Sequence, residues 1–456
     1  MNRVLLLGSG GREHAIASAL TNSNHLALYA AMNTSNPGIT RLAKRTKIFS
    51  INNPNQVSAY AKSCNVELAI IGPEAPLVSG AVDILTEEGI PCVGPTHRLA
   101  SLEGDKAFCR SLLSRHKIPG NPKYQIFTDL DSALAFLKTT SEPIALKPIG
   151  LTGGKGVRVS GEDLPTKESE LAYAREIFQN RIGGSKKLLI EERLDGEEFS
   201  VQAFVDGHDL HVMPIVQDHK RAYENDSGPN TGGMGSYSDH DHLLPFLTAH
   251  DLELSSQIMS MTINALSQDL GEQYRGILYG QFMLTKGRDD QIATPKLIEF
   301  NCRFGDPEAM NVLPLLMSNF LDICRQIGDG NLKQKDVCFR REASVCKYLV
   351  PEGYPENPAT NEIVQIDEEA VKREGAQLYF ANVNATNGNV VTTSSRTIAI
   401  VGISNTIEEA AKISESATRH VEGRLRHRRD IGSPQSIRKR LTHTESIRTL
   451  LQSAQA

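Results

Sequence analysis

The segment 295–308, "PKLIEFNCRFGDPE", carries the residue types best suited to metal and phosphate chemistry. If its apolar run forms a strand, side chains alternate between two faces, so Glu299, Asn301 and Arg303 share one face and the apolar residues between them share the other. Carboxylate and amide oxygens suit Mg²⁺ that also holds nucleotide phosphates, and a guanidinium stabilises charge on a phosphoryl group in transfer. Gln281, on the strand "LYGQFML", could add one more oxygen. The pattern predicts a metal-assisted phosphoryl-transfer site; the alternative is a surface ion pair on an edge strand.

The chain begins with an apolar strand that runs into a glycine turn and a helix, "VLLLGSGGREHA". The dinucleotide fingerprint G-x-G-x-x-G would need a third glycine where this chain has Glu13. The next strand ends in "YAAMN", without the carboxylate that would hold a ribose hydroxyl. Both departures argue against NAD. The N–H groups of the turn and the guanidinium of Arg12 still suit an anion, so a phosphate site and a plain strand-to-helix turn both stay open.

Three further segments combine charge with glycines or with the end of a strand. Glu74 follows the strand "AIIG" and would project into the same crevice as the first turn, unless it is a solvated loop carboxylate. Lys147 lies on an apolar strand and needs an anionic partner if it is buried. Lys155 lies in a glycine-rich loop that lacks the Walker A spacing but can cover phosphates. The segment 217–237 predicts a long polar loop whose glycine run brings ordered backbone close to a ligand.

The elements that must position these residues follow from the apolar patterns. Strand and helix patterns alternate over residues 1–100, which predicts a parallel sheet with helices on both faces. Residues 122–190 predict a small α/β unit, residues 196–326 predict further strands, and a final α/β unit begins near residue 334. The chain after Ile431 is helical and basic, and a charge run of this kind is by default a solvated helix.

The composition narrows the class of protein. The chain has 456 residues, 23% of them charged, with a net charge of −5 and a pI near 6.3. This balance gives no electrostatic reason to expect nucleic-acid binding. Its apolar runs are too short for a membrane span or a signal peptide, so we expect a cytoplasmic protein. The seven cysteines lack a C-x-x-C pair, which predicts reduced, mostly buried thiols.

Eight separated motifs agree with one known family. They include "GSGGREHA", "GPEAPL", "LEGDKAF", "GGKGV", "QDHKR", "GPNTGGMG" and "IEFNCRFGDPE". In this order they resemble the glycinamide ribonucleotide synthetase family of the ATP-grasp superfamily, from residue 3 to about residue 432. The resemblance implies an α/β fold with a Rossmann-like parallel-sheet domain, an ATP-grasp domain with a small lid subdomain and a small C-terminal α/β domain. The implied bounds are 1–103, 104–330 with the lid at about 122–190, 331–432, and a helical tail at 433–456.

The resemblance also implies roles for individual residues. The implied ATP-binding residues are Lys106, Lys147, Lys155, Glu191, Leu194 and Glu198. The implied metal ligands, for Mg²⁺ or Mn²⁺, are Gln281, Glu299 and Asn301. The implied substrate-binding residues are Gly10, Gly11, Arg12, Glu13, Glu74, Lys220, Gly232, Gly233 and Asp306. The implied catalytic residues are Arg303, Lys147 and Asp218.

The implied activity is ATP-dependent ligation of glycine to 5-phosphoribosylamine through a glycyl-phosphate intermediate, the second step of de novo purine biosynthesis. The implied partners are these small molecules, with a transient contact to the enzyme that supplies phosphoribosylamine and a monomeric or weakly dimeric state. Three alternatives stay open: another ATP-grasp carboxylate–amine ligase, an NAD-dependent oxidoreductase, and a non-catalytic ATP-binding protein. Glu13 argues against the second, and the intact set Lys147, Glu299, Asn301 and Arg303 argues against the third.

Overall fold

The protein is described by a computed structural model that covers residues 2–153, 156–286, 293–386 and 388–449. The N-terminal strands are β1 (Asn2–Leu7), β2 (Leu26–Met32), β3 (Arg45–Ile48), β4 (Leu68–Ile71) and β5 (Cys92–Val93). The helices between and after them are α1 (Gly11–Thr21), α2 (Pro37–Leu42), α3 (Pro54–Ser63), α4 (Glu74–Val78), α5 (Ala81–Glu87) and α6 (His97–Gly104). The strands are parallel in the order β3-β2-β1-β4-β5, as the alternating pattern predicts.

Asparagine–proline pairs start two of these helices. The side chains of Asn36 and Asn53 accept hydrogen bonds from the backbone N–H three residues ahead, and a proline occupies the first helical position of α2 and of α3. This combination satisfies an otherwise free donor and fixes the backbone angle at the helix start. The ends of the parallel strands are therefore followed by turns that the local sequence defines.

The next unit is small and has a hydrophobic core of its own. It follows α7 (Lys106–Arg115), whose buried Leu112 and Leu113 belong to the main core. The elements of the unit are β6 (Tyr124–Phe127), α8 (Leu130–Thr139), β7 (Ile144–Pro148), β8 (Arg158–Val159), α9 (Lys167–Asn180) and β9 (Leu188–Glu192). The sheet is antiparallel in the order β6-β9-β7-β8. Side chains from α8 and α9, among them Leu137 and Ile177, pack on Leu146 and Ile190 in a cluster separate from the main core. The segment therefore packs as one body.

A second antiparallel sheet follows this unit in the sequence. Its region contains β10 (Gly196–Asp206), β11 (Leu210–Val212), β12 (Gln217–Asp218), β13 (Arg221–Tyr223), β14 (Ser227–Asn230), β15 (Gly235–Ser238), α10 (Ala249–Leu270), β16 (Arg275–Thr285), β17 (Thr294–Asn301), α11 (Ala309–Val312) and α12 (Phe320–Asp329). The order is β11-β10-β16-β17, with a bulge in the β16–β17 pairing after Gln281. The prediction that the last strand runs on through Arg303 was wrong, because β17 ends at Asn301. Phe300, Cys302 and Phe304 are nevertheless buried, as the alternation predicted.

The C-terminal elements are β18 (Ala343–Pro351), β19 (Ile363–Ile366), α13 (Glu368–Arg373), β20 (Gln377–Phe380), β21 (Val383–Thr386), β22 (Asn389–Thr392), β23 (Ile398–Ser404), α14 (Ile407–Thr418), β24 (Val421–Glu422), β25 (Leu425–Arg426) and α15 (Pro434–Thr449). The main sheet here has the order β12-β15-β18-β23-β20, so it takes two strands from the segment 217–238. The prediction of a loop without structure in this segment was wrong. Its backbone pairs with β18, which lies far along the chain, and a local pattern does not show such a partner. Within the described residues, each helix is too short or too polar to cross a membrane.

A buried histidine joins the N-terminal sheet to the C-terminal unit. The Nδ1 atom of His14 accepts a hydrogen bond from the backbone N–H of Phe380 at 2.9 Å, and the two rings stack. A side chain at Gly38 would collide with the imidazole. Burial, with a contribution from the charge of Arg41, lowers the pKa of His14 to about 4. An accepting Nδ1 in a buried ring agrees with a neutral imidazole.

We expect this histidine to make the fold sensitive to acid. His14 takes up a proton in the unfolded chain near pH 6.5 but in the folded chain only near pH 4, so its contribution to stability is complete above pH 6.5 and is lost as the pH falls toward about 4. Between about pH 7.5 and about pH 4.5, His14→Gln should lose less free energy of unfolding than the wild type, by roughly 2–3 kcal/mol. Urea denaturation at the two pH values measures this. His250→Gln, at an exposed histidine, should lose as much free energy of unfolding as the wild type. An equal loss in His14→Gln and in the wild type would contradict the expectation.

The basic helix α15 is docked, so the prediction of a solvated helix was wrong. His443 and Arg440 contact the buried carboxylate of Glu197 on β10, at 2.6 Å and 3.3 Å. Arg440 also pairs with Asp226, between β13 and β14, and Arg448 pairs with Asp251 at the start of α10. Glu197 is 3% exposed and therefore needs these partners. The basic side chains of α15 are therefore neutralised by carboxylates on elements that are remote in sequence.

The docking can be tested on two arginines of the same helix. Arg440→Met removes one partner of Glu197 and of Asp226, so the free energy of unfolding should fall by about 1–3 kcal/mol. Arg438 is exposed, and Arg438→Met should leave stability within about 0.5 kcal/mol of the wild type. Urea denaturation of both variants measures the difference, and equal midpoints would show that the helix contributes nothing through Arg440.

Candidate active site

The three residues predicted as metal ligands lie together on two paired strands. Gln281 of β16 is paired with Glu299 of β17, and Tyr279 with Asn301. The amide nitrogen of Asn301 lies 3.5 Å from Glu299 Oε1, and the amide nitrogen of Gln281 donates to Glu198 Oε2 at 3.1 Å. The alternation of side chains along the strands therefore aims this set at one face of the sheet.

The charges around Glu299 fit a site for a metal and phosphates. Burial alone would raise the pKa of Glu299, but Lys220, Lys106 and Lys147 outweigh it and hold the pKa below its usual range. Glu299 is thus an ionised oxygen ligand within a group of lysines. One carboxylate and one amide oxygen are a donor set that Mg²⁺ accepts, because it keeps several waters. Gln281 fits less well, since its Oε1 already accepts the hydroxyl of Tyr279.

Lys147 has the anionic partner that its burial requires. Its ammonium lies 2.7 Å from Glu191 Oε2, and the guanidinium of Arg110 holds both oxygens of the same carboxylate, at 2.6 Å and 3.1 Å. Both cations also donate to the carbonyl of Ile298, next to Glu299. Burial would raise the pKa of Glu191, but Arg110 and Lys147 lower it overall. The carboxylate of Glu191 therefore neutralises the buried charges of Lys147 and Arg110. The role of Arg110 was not predicted from the sequence.

The other ATP-binding candidates lie around the same sheet face. The ammonium of Lys106 donates to the carbonyl of Gly150 at 2.9 Å, and burial, together with Lys147, lowers its pKa against the opposing effect of Glu299. Leu194 follows β9 and is partly buried. Glu198 on β10 lies 4.0 Å from the ammonium of Lys220. Lys155 lies outside the described residues.

The first glycine turn is shaped around the carboxylate of Glu13. A side chain at Gly8 or Gly72 would collide with it, and the backbone N–H of Gly10 donates to its Oε2 at 2.6 Å. Gly8 has a φ of +122°, a backbone conformation that glycine tolerates and other residues rarely adopt. Glu13 also pairs with Arg12. Glu13, which stands where the dinucleotide fingerprint has its third glycine, thus fills the space beside Gly8 and Gly72.

Arg303 connects this crevice with the metal candidates. Its guanidinium donates to Asn301 Oδ1 at 2.8 Å and pairs with Glu103 at 3.0 Å and with Glu74 at 3.4 Å. Burial would raise the pKa of Glu74, yet Arg303 and Arg12 lower it overall. Glu74, predicted to follow the fourth strand, therefore pairs with Arg303, as a common site requires. The second partner, Glu103, was not predicted from the sequence.

The C-terminal unit reaches into the same crevice through Arg396 and Tyr348. Arg396 donates to the carbonyls of Gly232, Gly233 and Asp306 and pairs with the carboxylate of Asp306 at 3.2 Å. The hydroxyl of Tyr348 donates to the same carboxylate at 2.5 Å, and the guanidinium of Arg396 lies over its ring.

This arrangement places Asp306 near the first turn. Asp306 Oδ2 lies 3.7 Å from the point that a Cβ at Gly10 would occupy, and a Cβ at Gly11 would lie 2.6 Å from the hydroxyl of Tyr348. Only the position of Arg396, a cation directly before an apolar strand, could have indicated its role from sequence.

Asp218 and Lys220 complete the set on the segment 217–238. Burial and the charge of Glu308 raise the pKa of Asp218 well above its usual range, against the opposing charges of Lys220 and Arg396. Lys220 keeps its charge, because Glu198 and Glu299 raise its pKa although burial would lower it. Contacts and charge interactions link the predicted site residues other than Lys155 and Leu194. The set combines lysines for phosphates, oxygen ligands for a divalent cation and an adjoining polar group around the first turn.

Three family models match the chain in order. The N-domain model of phosphoribosylglycinamide synthetase matches residues 2–103, the ATP-grasp (A) domain model matches residues 104–309 and the C-domain model matches residues 344–434.

Relatives with a curated name match over nearly the whole chain. Phosphoribosylamine--glycine ligase of Methanothermobacter thermautotrophicus is 48% identical over 447 residues, which is 98% of this chain and 100% of the relative. The protein of the same name from Methanocaldococcus jannaschii is 46% identical over 450 residues, with the same coverage. The crystal structure of phosphoribosylamine--glycine ligase from Thermotoga maritima is similar with a TM-score of 0.78 and 28% identity, covering 94% of this chain and 100% of that one. A biotin carboxylase from Campylobacter jejuni, 13% identical over 98% of both chains with a TM-score of 0.71, shares the fold.

The metal candidates can be tested by direct binding. Glu299→Gln replaces an ionised ligand by a neutral one while its neighbours stay in place, so the affinity for Mn²⁺ in the presence of ATP should fall by about tenfold or more. Electron paramagnetic resonance of free Mn²⁺ measures this without turnover. Glu87→Gln, at an exposed carboxylate, is the matched control. Unchanged Mn²⁺ affinity in Glu299→Gln would remove this residue from the metal site.

Proposed function

The chain belongs to the phosphoribosylglycinamide synthetase family, and on that premise we propose that it joins glycine to 5-phosphoribosylamine with ATP as the phosphoryl donor. The products are glycinamide ribonucleotide, ADP and phosphate, in the second step of de novo purine biosynthesis. The observation that carries the proposal is that Arg303 contacts both Asn301, beside the lysine group around Glu299, and Glu74, beside Arg12. The first group suits ATP and the second a phosphorylated amine.

The ATP side of the cleft uses charge rather than a side-chain nucleophile. Lys106, Lys147 and Lys220 surround the carboxylate of Glu299 and neutralise phosphate charge. Glu299 and Asn301 would hold the divalent cation, which would supply neutralisation of the negative charge on the phosphates. Leu194 and the neighbouring backbone face the adenine, and Glu198 takes the ribose hydroxyls. The α8–α9 unit covers the phosphates, and the sequence resemblance assigns Lys155 to the same group of ATP-binding residues.

Two transfers at this site account for the reaction. An oxygen of the glycine carboxylate attacks the γ-phosphorus, the bond to the bridging oxygen breaks, and ADP leaves with its electron pair. The amine of phosphoribosylamine then attacks the carbonyl carbon of glycyl phosphate, phosphate leaves, and the amine loses a proton. Lys147 and Arg303 stabilise negative charge in these steps, and we assign to Asp218 the uptake of the proton. Acyl phosphates hydrolyse, so the body formed by residues 122–190 closes over the site to exclude water.

The crevice beside the first turn holds phosphoribosylamine. The start of α1 at Gly11 and the guanidinium of Arg12 bind its phosphate. The N–H of Gly10 donates to Glu13 Oε2 and helps to shape the turn. Glu74, Asp306 and the backbone of Gly232 and Gly233 bind its polar groups. Arg396 holds that backbone in place, and Glu13 holds the backbone of Gly10. A C-terminal unit that contributes Arg396 is therefore part of the substrate site.

Several finer points stay predictions. These are the domain bounds, the choice between Mg²⁺ and Mn²⁺, a monomeric or weakly dimeric state, a cytoplasmic location, and a transient contact with the enzyme that supplies phosphoribosylamine. The alternative assignment to another ATP-grasp ligase differs in substrate, not in the ATP half of the site.

The deciding experiment measures ADP formation with Mg-ATP and glycine, with and without phosphoribosylamine generated in the cuvette. We expect ADP only when both substrates are present, because the acyl phosphate needs the amine to be consumed. ADP formation that ignores phosphoribosylamine, or that needs a different amine, would contradict the assignment. NADH fluorescence in the same preparation should not respond to the protein, since Glu13 fills the dinucleotide turn.

A further inference from the structure

Helix α15 lies behind a strand that carries an ATP-binding candidate. It begins at Pro434, where the match of the C-domain model ends, and it packs against β10. Successive side chains on a strand point to opposite faces, so Glu197 and Glu198 of β10 face apart. Glu198 contacts Gln281 and Lys220 on the side of the site, at 3.1 Å and 4.0 Å. Glu197 points the other way and contacts α15.

Two basic residues of α15 hold the carboxylate of Glu197. The Nδ1 atom of His443 lies 2.6 Å from Glu197 Oε1, and the guanidinium of Arg440 lies 3.3 Å from Oε2. The two cationic groups approach different oxygens, so they fix the orientation of the carboxylate as well as its position. Arg440 is in turn held by Asp226. The backbone next to Glu198 is therefore tied to the helix at a defined point.

Tyr237 of β15 makes a second connection between the region of α15 and the backbone of Glu198. Tyr237 is fully buried; burial raises the pKa of its hydroxyl, and the nearby charge of Arg440 opposes this. The hydroxyl donates to Gln217 Oε1 at 2.6 Å, and the amide nitrogen of Gln217 donates to the carbonyl oxygen of Glu198 at 3.0 Å. Glu198 is thus held through its backbone from the face opposite to its own side chain.

Ion pairs at this contact serve geometry more than stability. Removing a carboxylate and a guanidinium from water costs free energy that their attraction only roughly offsets, and an apolar pair often gives equal or greater stability. A directional contact at two oxygens adds a fixed register between the elements that it joins. A binding side chain must be held within about 0.5 Å of its productive position by the residues behind it. The other face of this strand carries such a side chain, Glu198.

We propose that Arg440 and His443 are positioning residues for Glu198, on which they act through Glu197 and the backbone of β10. The contact concerned is that of Glu198 with the ribose hydroxyls of ATP, so the inference rests on the ATP half of the proposed function and is independent of the amine. Helix α15 then belongs to the nucleotide site although it does not touch the nucleotide. Loss of its contacts weakens the discrimination between a ribose and a sugar that lacks the hydroxyls.

Calorimetric titration with Mg-ATP and with the Mg²⁺ complex of 2′,3′-dideoxy-ATP measures the ribose contact without turnover. The wild type should bind ATP about tenfold more tightly than the dideoxy nucleotide, and Glu198→Ala should abolish this preference. Arg440→Met and His443→Leu should each reduce the preference to about threefold or less. Arg440→Lys, which keeps the charge, should recover most of it. Arg438→Met, at an exposed residue of the same helix, should match the wild type.

A double variant separates positioning from stability. Glu197→Met combined with Arg440→Met replaces the ion pair by apolar side chains, while Asp226 still has Arg428 as a partner at 3.1 Å. The midpoint of urea denaturation should return toward that of the wild type, since no unpaired charge is left buried, and the preference for ATP over the dideoxy nucleotide should stay low. Recovery of the midpoint and the preference together would show that the helix acts through stability alone, and would overturn the inference.

The outcomes also separate this inference from the proposed function. A wild type that prefers ATP over the dideoxy nucleotide but forms no ADP with glycine and phosphoribosylamine contradicts the proposed reaction and leaves the positioning role supported. A wild type without the preference, or Arg440→Met and His443→Leu proteins that both keep it in full, would overturn the positioning role. A wild type that binds neither nucleotide would overturn both.

Discussion

The guanidinium of Arg303 joins the parts of the chain that the cleft lies between. It contacts Asn301 just past β17, Glu103 at the end of α6 and Glu74 at the start of α4. Burial of a guanidinium would lower its pKa, but Glu103 and Glu74 raise the pKa of Arg303 above its usual range. A buried charge that loses a partner costs several kcal/mol, so these contacts hold the N-terminal sheet and β17 at a fixed distance and orientation. The distance between the candidate metal ligands and the residues around the first turn is therefore fixed as well.

Local pattern was enough to predict the scaffold and much of the cleft. The alternation that defines β17 placed Glu299 and Asn301 on one face, and the apolar neighbours of Lys147 indicated a buried lysine with an anionic partner. Such inferences need only residues within one element. Arg110 and its partner Glu191 are 81 residues apart, and Arg396 contacts the carbonyl of Gly233 from 163 residues away. Pairs of this kind depend on how elements stack, which a single sequence does not display.

Glycines near the cleft illustrate how one residue type can have two explanations. Gly8 and Gly10 suggested free N–H groups for an anion, but the N–H of Gly8 donates to the carbonyl of Ala31 and that of Gly10 donates to Glu13 Oε2. Their second reason is steric, because Gly8 and Gly72 leave the volume that the carboxylate of Glu13 fills. Gly38 does the same for the ring of His14. A glycine in a sequence motif can thus either contact a ligand or leave space for a neighbouring side chain, and only the packed structure distinguishes the two.

The pairing of the segment 217–238 with β18 has a consequence for how the molecule is made. During synthesis this segment leaves the ribosome long before Ala343–Pro351, and domains generally fold in the order in which they emerge. A nascent chain that ends after α12 already contains the candidate metal ligands and the N-terminal sheet, yet β12 and β15 have no neighbour to extend. The ribbon that carries Asp218 and Lys220 is then held on one side only, by the contacts of Val216 and Gln217 with β10. The pairing of this segment with β18 is therefore one of the last events in the synthesis and folding of the chain, and a chain that ends before β18 lacks one side of the candidate site.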